Sequence, residues 1–212
     1  MRKIIKNATY EPQALTDWKR ANPHGRYGDV TEIERQAMRQ SCAEQQHYLC
    51  AYCTQAISGT SSDTMNEHVA AQRISPNRTL DFSNIVASCR TAKQCDDSHG
   101  SQPLPLTPLM DECETELKFK LSGRVEGLTD RAKETIRVLN LGDHEKHNRS
   151  LIEKRKQLVS SLLFINGIDA SKGLEDDELI EMVINDISTP ENGKLAAFSP
   201  VAVNVLKQWI ST

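Results

Sequence analysis

Two pairs of cysteines in the first half of the chain have the type and spacing of metal ligands. Cys50 and Cys53 are separated by two residues, and Cys89 and Cys95 follow as a second, wider pair. A Cys-x-x-Cys pair brings two thiolates together through a tight turn, and four thiolates can surround one Zn²⁺ in a closed tetrahedral site. These four cysteines therefore predict a structural zinc ion. The alternative is that some of them are ordinary buried thiols.

Polar residues that can perform hydrolysis are interleaved with these cysteines. Glu67 and His68 lie between the two pairs, Asn84 comes just before the second pair, and His99 follows it. A neutral histidine can accept a proton near pH 7. A carboxylate suits a hard divalent cation. We expect a hydrolytic site within the zinc-binding segment.

The remaining cysteines have no partner at this spacing. Cys42 and Cys113 are expected to be core or surface thiols rather than ligands. Disulfides are rare in a reducing compartment, and spaced cysteine pairs there indicate a metal. A thiol redox protein is a poor fit, because its Cys-x-x-Cys would open a helix within a βαβ unit, and the flanks here are strand-like.

These motifs resemble the HNH (ββα-metal) nucleases, in which cysteine pairs surround the catalytic motif. The resemblance is carried by Cys50-Ala-Tyr-Cys53, Glu67-His68, Asn84-Ile-Val-Ala-Ser-Cys89 and Cys95-Asp-Asp-Ser-His99. Further segments are similar to the PtuB-type HNH proteins of Septu anti-phage defence and some retron systems: Met1-Arg-Lys-Ile-Ile-Lys6, Glu44-Gln-Gln46 and Thr135-Ile-Arg-Val-Leu-Asn-Leu141.

The resemblance implies a role for each polar residue of the motif. His68 would be the general base that activates water, and Asn84 would orient the loop that carries it. Glu67 and His99 would bind a catalytic Mg²⁺ or Mn²⁺. The wide spacing of the second cysteine pair leaves Asp96 and Asp97 as rival ligands to His99.

The resemblance also implies partners. It predicts a PtuA-like ATPase that gates cleavage and, in retron systems, the reverse transcriptase with its msDNA. It also predicts a nucleic-acid substrate, with DNA as the default and RNA or tRNA as alternatives. We expect Arg73, Arg78 and Arg90 to contact the phosphate backbone, because arginine binds phosphate through bidentate hydrogen bonds. The alternative function is a zinc-knuckle adaptor that only binds a partner protein, which would need neither a base nor a hard-metal ligand.

The helices and strands predicted around these residues indicate an α+β fold. We expect an N-terminal helical segment (1–45), a zinc-stapled ββα-metal core (46–106), and a mostly helical C-terminal region (107–212) that docks on the partner. Within these, the pattern predicts a helix over 31–49 with Thr31 and Glu34 as a capping box, a short strand or knuckle around Cys50–Cys53, and a strand over 65–69. Apolar spacing predicts helices over 130–141, 144–164, 175–187 and 200–210.

Charge and hydropathy exclude some classes of protein. The net charge of −3 argues against a strongly basic nucleic-acid binder, and no run of apolar residues is long enough to cross a membrane. We therefore expect a cytoplasmic protein. The basic run made of Lys146, Arg149, Lys154, Arg155 and Lys156 is expected to be a solvated face, with phosphate contact as the alternative.

Overall fold

Seven α-helices and two small antiparallel sheets form a mixed α+β structure in the part of the chain that the computed structural model describes, residues 1–7, 9–167 and 177–210. The α+β class predicted from the sequence is confirmed. The elements are, in chain order, α1 (Gln13–Ala21), α2 (Glu32–Gln45), β1 (Thr64–His68), β2 (Ile85–Cys89), α3 (Asp96–His99), β3 (Leu117–Phe119), β4 (Val125–Gly127), α4 (Asp130–Leu139), α5 (Arg149–Ile165), α6 (Asp177–Ser188) and α7 (Ser199–Ile210).

Helix α2 begins where its capping residues predict. The Thr31 hydroxyl accepts a hydrogen bond from the backbone of Ile33, and the Glu34 carboxylate accepts one from the Thr31 backbone N–H at 3.0 Å. These bonds satisfy amide groups that have no partner inside the helix. The helix ends at Gln45, a few residues before the predicted end at 49.

The C-terminal helices largely follow the predicted apolar spacing. Helix α4 is capped by Thr129, and α5 starts later than predicted because Asn148 caps it. Pro200 is the second residue of α7, not the first. The predicted start of α6, with its acidic residues Glu175 and Asp176, lies outside the described residues.

Strands β1 and β2 pair in antiparallel register, with Thr64 opposite Cys89 and His68 opposite Ile85. The segment around Cys50–Cys53 is a knuckle rather than a strand, closed by a single bridge between Leu49 and Ala56. The first strand was predicted from the sequence, whereas β2 was not predicted as an element in its own right.

The side chain of Gln46, the residue after α2, forms hydrogen bonds with the backbone of β2 at the edge of this sheet. Its buried amide accepts a hydrogen bond from the Ala87 backbone N–H and donates to the carbonyl oxygens of Ala87 and Leu49, each at 2.8 Å. An unpaired strand edge would otherwise leave buried polar groups without partners. Gln46 therefore joins helix α2, the knuckle and β2.

Two further elements were not predicted from the sequence: helix α1 and the β3–β4 hairpin. The hairpin packs under α5, where a Cβ on Gly123 would lie 2.1 Å from the backbone oxygen of Ile152. Gly123 also has a φ of +80°, so both its conformation and its surroundings require glycine.

One cluster of buried apolar side chains runs through all three predicted segments, from Leu15 on α1 to Leu206 on α7. The connector at 103–108 is tied into this core, because the Leu106 backbone N–H donates to the Thr135 hydroxyl at 3.0 Å. No helix among the described residues has the length and apolar character needed to cross a membrane.

The role of Gln46 can be tested by replacing it with methionine. Gln46→Met keeps the side-chain volume but leaves the backbone groups of Ala87 and Leu49 with fewer partners. Each buried group that loses its hydrogen bond costs about 1–3 kcal/mol, so we expect a loss of stability in this range. Chemical denaturation measures it, with the exposed Gln157→Met on α5 as the control. Equal stability of the two variants would contradict this role.

Candidate metal centre and active-site cleft

Four buried cysteines meet at one point, and their sulfurs fit a tetrahedral metal ion. The ligand atoms of Cys50, Cys53, Cys89 and Cys95 all lie within 4.8 Å of one another. Two sulfur pairs are 3.8 Å and 3.9 Å apart. A tetrahedral Zn²⁺ with Zn–S bonds of ~2.3 Å would place its sulfurs about 3.8 Å apart. This cluster could hold a metal such as zinc.

Hydrogen-bond donors surround these sulfurs, as expected around thiolates. The Cys89 backbone N–H donates to Cys50 Sγ at 3.3 Å. The Gln94 amide lies 3.5 Å from Cys89 Sγ, 3.6 Å from Cys53 Sγ and 3.9 Å from Cys95 Sγ. Donors aimed at sulfur favour the thiolate form, which is the form that binds metal. The other two cysteines, Cys42 and Cys113, are buried elsewhere in the core and are not part of the cluster.

Two cysteines of the cluster fix elements that lie next to predicted site residues. Cys89 ends β2, which pairs with the strand that bears Glu67 and His68. Cys95 immediately precedes α3, and its carbonyl accepts from the His99 backbone N–H at 2.8 Å. The chain reaches that position through a positive φ of 53° at Cys95.

Of the predicted site residues, Glu67, His68, Asp96 and Arg73 line one cleft of about 450 Å³, whereas His99 and Asn84 support it through hydrogen bonds without lining it. Glu67 and His68 are the last two residues of β1, and both line the cleft. Neighbours on a regular strand point to opposite faces. Their place at the strand end is one of the two arrangements expected from the sequence.

The buried Glu67 carboxylate is held from two sides. Its Oε1 accepts a hydrogen bond from the Tyr52 hydroxyl at 3.0 Å and lies 2.5 Å from His99 Nδ1. Burial raises the pKa of Glu67, but the hydrogen bonds from His99 and Asp96 outweigh it and leave the pKa below its usual value. The carboxylate is therefore ionised at neutral pH.

Two further candidate ligands face Glu67 from α3. His99 is buried, and its Nε2 donates to the Gln102 carbonyl at 2.9 Å; its contact with Glu67 raises the pKa of the imidazole against the opposing effect of burial. Burial and the neighbouring Glu67 raise the pKa of Asp96 to about 8. Asp97 instead accepts from the Lys93 backbone N–H at 2.6 Å and does not line the cleft. Of the rival ligands, His99 and Asp96 are therefore the two beside Glu67.

His68 is oriented so that one ring nitrogen is basic. Its Nε2 lies 2.8 Å from the carbonyl oxygen of Thr79, which can only accept a hydrogen bond, so Nε2 carries the proton. In the neutral ring, Nδ1 then has the free electron pair. Burial lowers the pKa of His68, which keeps the ring neutral at pH 7. The Tyr27 ring packs edge-on against it, with centroids 4.5 Å apart.

Asn84 closes the loop that supplies this carbonyl. Its Oδ1 accepts from the Ala70 backbone N–H at 2.8 Å, and its Nδ2 donates to the carbonyl oxygens of Ala70 and Arg78 at 3.0 Å and 3.3 Å. The side chain thereby clamps the two ends of the loop that follows His68 and positions the Thr79 carbonyl.

The structure separates the three arginines predicted to contact phosphate. Arg73 lines the cleft. Arg78 pairs with Asp81 outside it, at 2.9 Å, and Arg90 donates to the Ser61 carbonyl at 2.5 Å on another face. Two arginines of α2, Arg35 and Arg39, line the cleft in their place. No sequence signal singled them out, because both lie in a charged helix of ordinary composition.

Tyr52 is the other residue of the site that sequence reasoning missed. It lies inside the Cys50–Cys53 knuckle, where a large aromatic residue looks like core, and it is fully buried. Its hydroxyl is the group that links the metal centre to Glu67. A buried tyrosine requires a partner for its hydroxyl, and that requirement is the signal that could have found it.

The cysteine cluster can be tested by metal analysis of the purified protein. We expect one zinc per chain in the wild type and loss of that zinc in Cys53→Ser. Because a structural metal contributes folding free energy, a strong chelator should lower the wild-type melting temperature. Cys113→Ser, a buried thiol outside the cluster, is the control and should keep its zinc. Full zinc content in Cys53→Ser would contradict this assignment.

No protein-family model matches the chain, and no curated protein matches it. The structure brings together Glu67, His68, Asn84 and His99 beside the four cysteines, and it leaves Arg78 and Arg90 apart from them.

Proposed function

We propose that this protein is a metal-dependent endonuclease of the HNH type that hydrolyses phosphodiester bonds in nucleic acid. The observation that carries the proposal is that an oriented neutral histidine, His68, and the ionised Glu67 line one cleft, and that His99 contacts Glu67. A protein that only binds a partner would not require a base and hard-metal ligands in this arrangement.

His68 acts as the general base in this proposal. The Thr79 carbonyl holds the proton on Nε2, so Nδ1 is the nitrogen that accepts the proton of the attacking water. Asn84 keeps the carbonyl in place through its clamp on the loop. Tyr27 fixes the plane of the ring from the side.

In this proposal Glu67, His99 and Asp96 would hold a divalent cation such as Mg²⁺ or Mn²⁺, and His99 Nδ1 and the Asp96 carboxyl group would each lose a proton when it binds. Carboxylate oxygens and an imidazole nitrogen are suitable ligands, and a bound cation would offset the effect of Glu67, which together with burial raises the pKa of Asp96. When bound, such an ion stabilises the charge that develops on the phosphate and on the leaving oxygen. Tyr52 positions the Glu67 carboxylate for this role.

The opposite side of the cleft suits the phosphate backbone of the substrate. Arg35 and Arg39 reach the cleft from α2, and Arg73 reaches it from the loop after β1. Arg35 is held rigidly, since it donates to the Val30 carbonyl at 3.0 Å and stacks on the Tyr27 ring. Because its Nε and Nη2 already donate to backbone carbonyls, Arg35 would contribute a fixed positive charge to phosphate binding rather than a bidentate hydrogen bond. DNA is the default substrate in the proposal, with RNA and tRNA as alternatives.

The proposal extends to the setting of the activity. By resemblance to the PtuB-type proteins, the partner is a PtuA-like ATPase that gates cleavage in anti-phage defence. The C-terminal helices are the region that docks on this partner. In retron systems, a reverse transcriptase and its msDNA are further components. Support comes from the sequence motifs alone.

Replacing His68 tests the proposed chemistry. We expect wild-type protein to cut duplex DNA, single-stranded DNA or bulk tRNA with Mg²⁺ or Mn²⁺, and EDTA to stop the reaction. His68→Ala should lower the rate by about 10²–10⁴-fold, the usual contribution of a general base. Each reaction is run with and without a PtuA-like ATPase. The matched control is His144→Ala, an exposed histidine away from the cleft.

Zinc content is measured in every sample to establish that the variants are folded. Wild-type cleavage rates in a zinc-loaded His68→Ala protein would overturn the role of His68. If zinc-loaded wild-type protein cuts nothing under any of these conditions, the adaptor function replaces the nuclease.

Tyr52→Phe tests how the knuckle supports the cleft. Removing the hydroxyl takes one hydrogen bond from Glu67 while the ring keeps its packing. We expect the Mg²⁺ concentration for half-maximal cleavage to rise about tenfold or more, as is typical when a partner of a metal ligand is lost, with KM for nucleic acid unchanged. Tyr10→Phe, whose hydroxyl contacts Ser41, is the control. An unchanged Mg²⁺ dependence would rule out this positioning role.

A further inference from the structure

Helix α5 carries a charged side chain that its sequence context does not predict. The basic run made of Lys146, Arg149, Lys154, Arg155 and Lys156 was expected to be a solvated face. Lys154 and Lys156 are exposed, but Arg155 has no exposed surface. The expectation is wrong for Arg155 because this residue lies on the stripe of α5 that also buries Leu151, Ile152 and Val159.

The Arg155 guanidinium lacks the partners that a buried cation needs. Its Nη1 donates to the Leu141 carbonyl at 2.7 Å, and the group lies 4.9 Å from the centre of the Phe119 ring. Its Nε and Nη2 have no hydrogen-bond partner among the described residues. No carboxylate in the described part of the chain forms an ion pair with it. A buried charge without compensation is unfavourable, so a negative group is expected nearby.

The charges of Cys53 and Cys95 are the negative charges that act on Arg155. Burial lowers the pKa of Arg155 to about 10, and the charges of Cys53 and Cys95 oppose that shift. The backbone connects the two sites as well. The Cys95 N–H donates to the Leu139 carbonyl at 2.9 Å, two residues before the carbonyl that Arg155 holds.

The start of the same helix reaches the sulfurs by a second route. Asn148, the N-cap of α5, donates through Nδ2 to Gln94 Oε1 at 2.7 Å. That bond turns the Gln94 NH₂ group toward the sulfurs of Cys53, Cys89 and Cys95. Asn148 is itself fixed by a bond to the Asn140 carbonyl at 2.9 Å. Helix α5 thus contributes a buried cation within electrostatic reach of Cys53 and Cys95, and its N-cap Asn148 orients the Gln94 amide toward the sulfurs.

We propose that α5 supplies the electrostatic shell of the metal centre, with Arg155 as the counter-cation of the metal–tetrathiolate and Gln94, held by Asn148, as its amide donor. Four thiolates around a divalent metal carry a net charge of −2, which a buried site must offset. Neutralisation of the sulfurs holds them as thiolates and strengthens metal retention. The proposal rests on metal binding by the cysteines and does not depend on the nuclease function.

The experiment compares the zinc affinity of four full-length proteins by competition with a chromophoric chelator. They are the wild type, Arg155→Met, Arg155→Lys and Lys156→Met, the last removing an exposed positive charge from the next position of α5. We expect Arg155→Met to bind zinc about 10–100-fold more weakly, the usual effect of losing a residue that supports a metal ligand. Arg155→Lys should retain most of the affinity, and Lys156→Met should match the wild type.

A spectroscopic measurement separates electrostatics from packing. In the Co²⁺-substituted proteins, removal of a nearby positive charge should shift the thiolate-to-cobalt charge-transfer band to lower energy in Arg155→Met and not in Lys156→Met. A purely structural Arg155 would leave the band of the folded Arg155→Met protein unchanged, whatever its zinc affinity. That result would overturn the proposal, as would an Arg155→Lys variant that loses as much affinity as Arg155→Met.

A second variant covers the case in which Arg155→Met does not fold. Gln94→Met removes the amide next to three sulfurs and leaves the packing of α5 in place, and Gln157→Met is its exposed control. We expect weaker zinc binding and the same direction of band shift in Gln94→Met. Wild-type zinc affinity and a wild-type band in this variant would overturn the proposal, whether or not the protein cleaves nucleic acid.

Discussion

The meeting of four cysteine sulfurs is the constraint on which the rest of the site depends. The cysteines come from a knuckle, the end of β2 and the residue before α3, and each of these elements is tied to the group of side chains around Glu67. Tyr52 arrives with the knuckle, Glu67 and His68 with the strand paired to β2, and His99 with α3. Short elements of this kind have little stability of their own, so their relative positions must come from a shared anchor.

Beyond that anchor, precision comes from side chains that bind backbone. Asn84 clamps the loop whose carbonyl orients His68, and Gln46 seals the edge of the sheet beneath it. Both amides are almost fully buried, so each bond forms where water cannot replace it. Burial lowers the pKa of His68, and hydrogen bonds lower the pKa of Glu67. At neutral pH an uncharged His68 therefore lies beside an ionised Glu67.

The parts of this arrangement that the sequence predicts are those with a local signature. Thr31 and Glu34 predict the start of α2, and the spacing of Cys50 and Cys53 predicts a knuckle. The periodicity of apolar residues predicts the C-terminal helices. Asn84 was assigned a loop-orienting role by resemblance, and it contacts the backbone at both ends of that loop.

The parts that sequence reasoning missed depend on contacts between distant segments. Arg155 sits in a basic run that reads as surface, and only the packing of α5 reveals that it is buried. Gln94 has no distinctive sequence context, since its role depends on Asn148 far along the chain. The β3 and β4 strands have three residues each, too few for a pattern of alternation to emerge.

The tie between the cysteine-rich segment and the helices after it limits how this protein can be rearranged. Cys95 bonds to Leu139, Lys93 bonds to Asn140, and Gln94 bonds to Asn148, so helices α4 and α5 form part of the wall of the metal centre. The motif residues lie close together in the sequence, which suggests that recombination could transfer this segment alone to another protein. Such a transfer would have to include α4 and α5, because without these helices one side of the metal centre would be open to water.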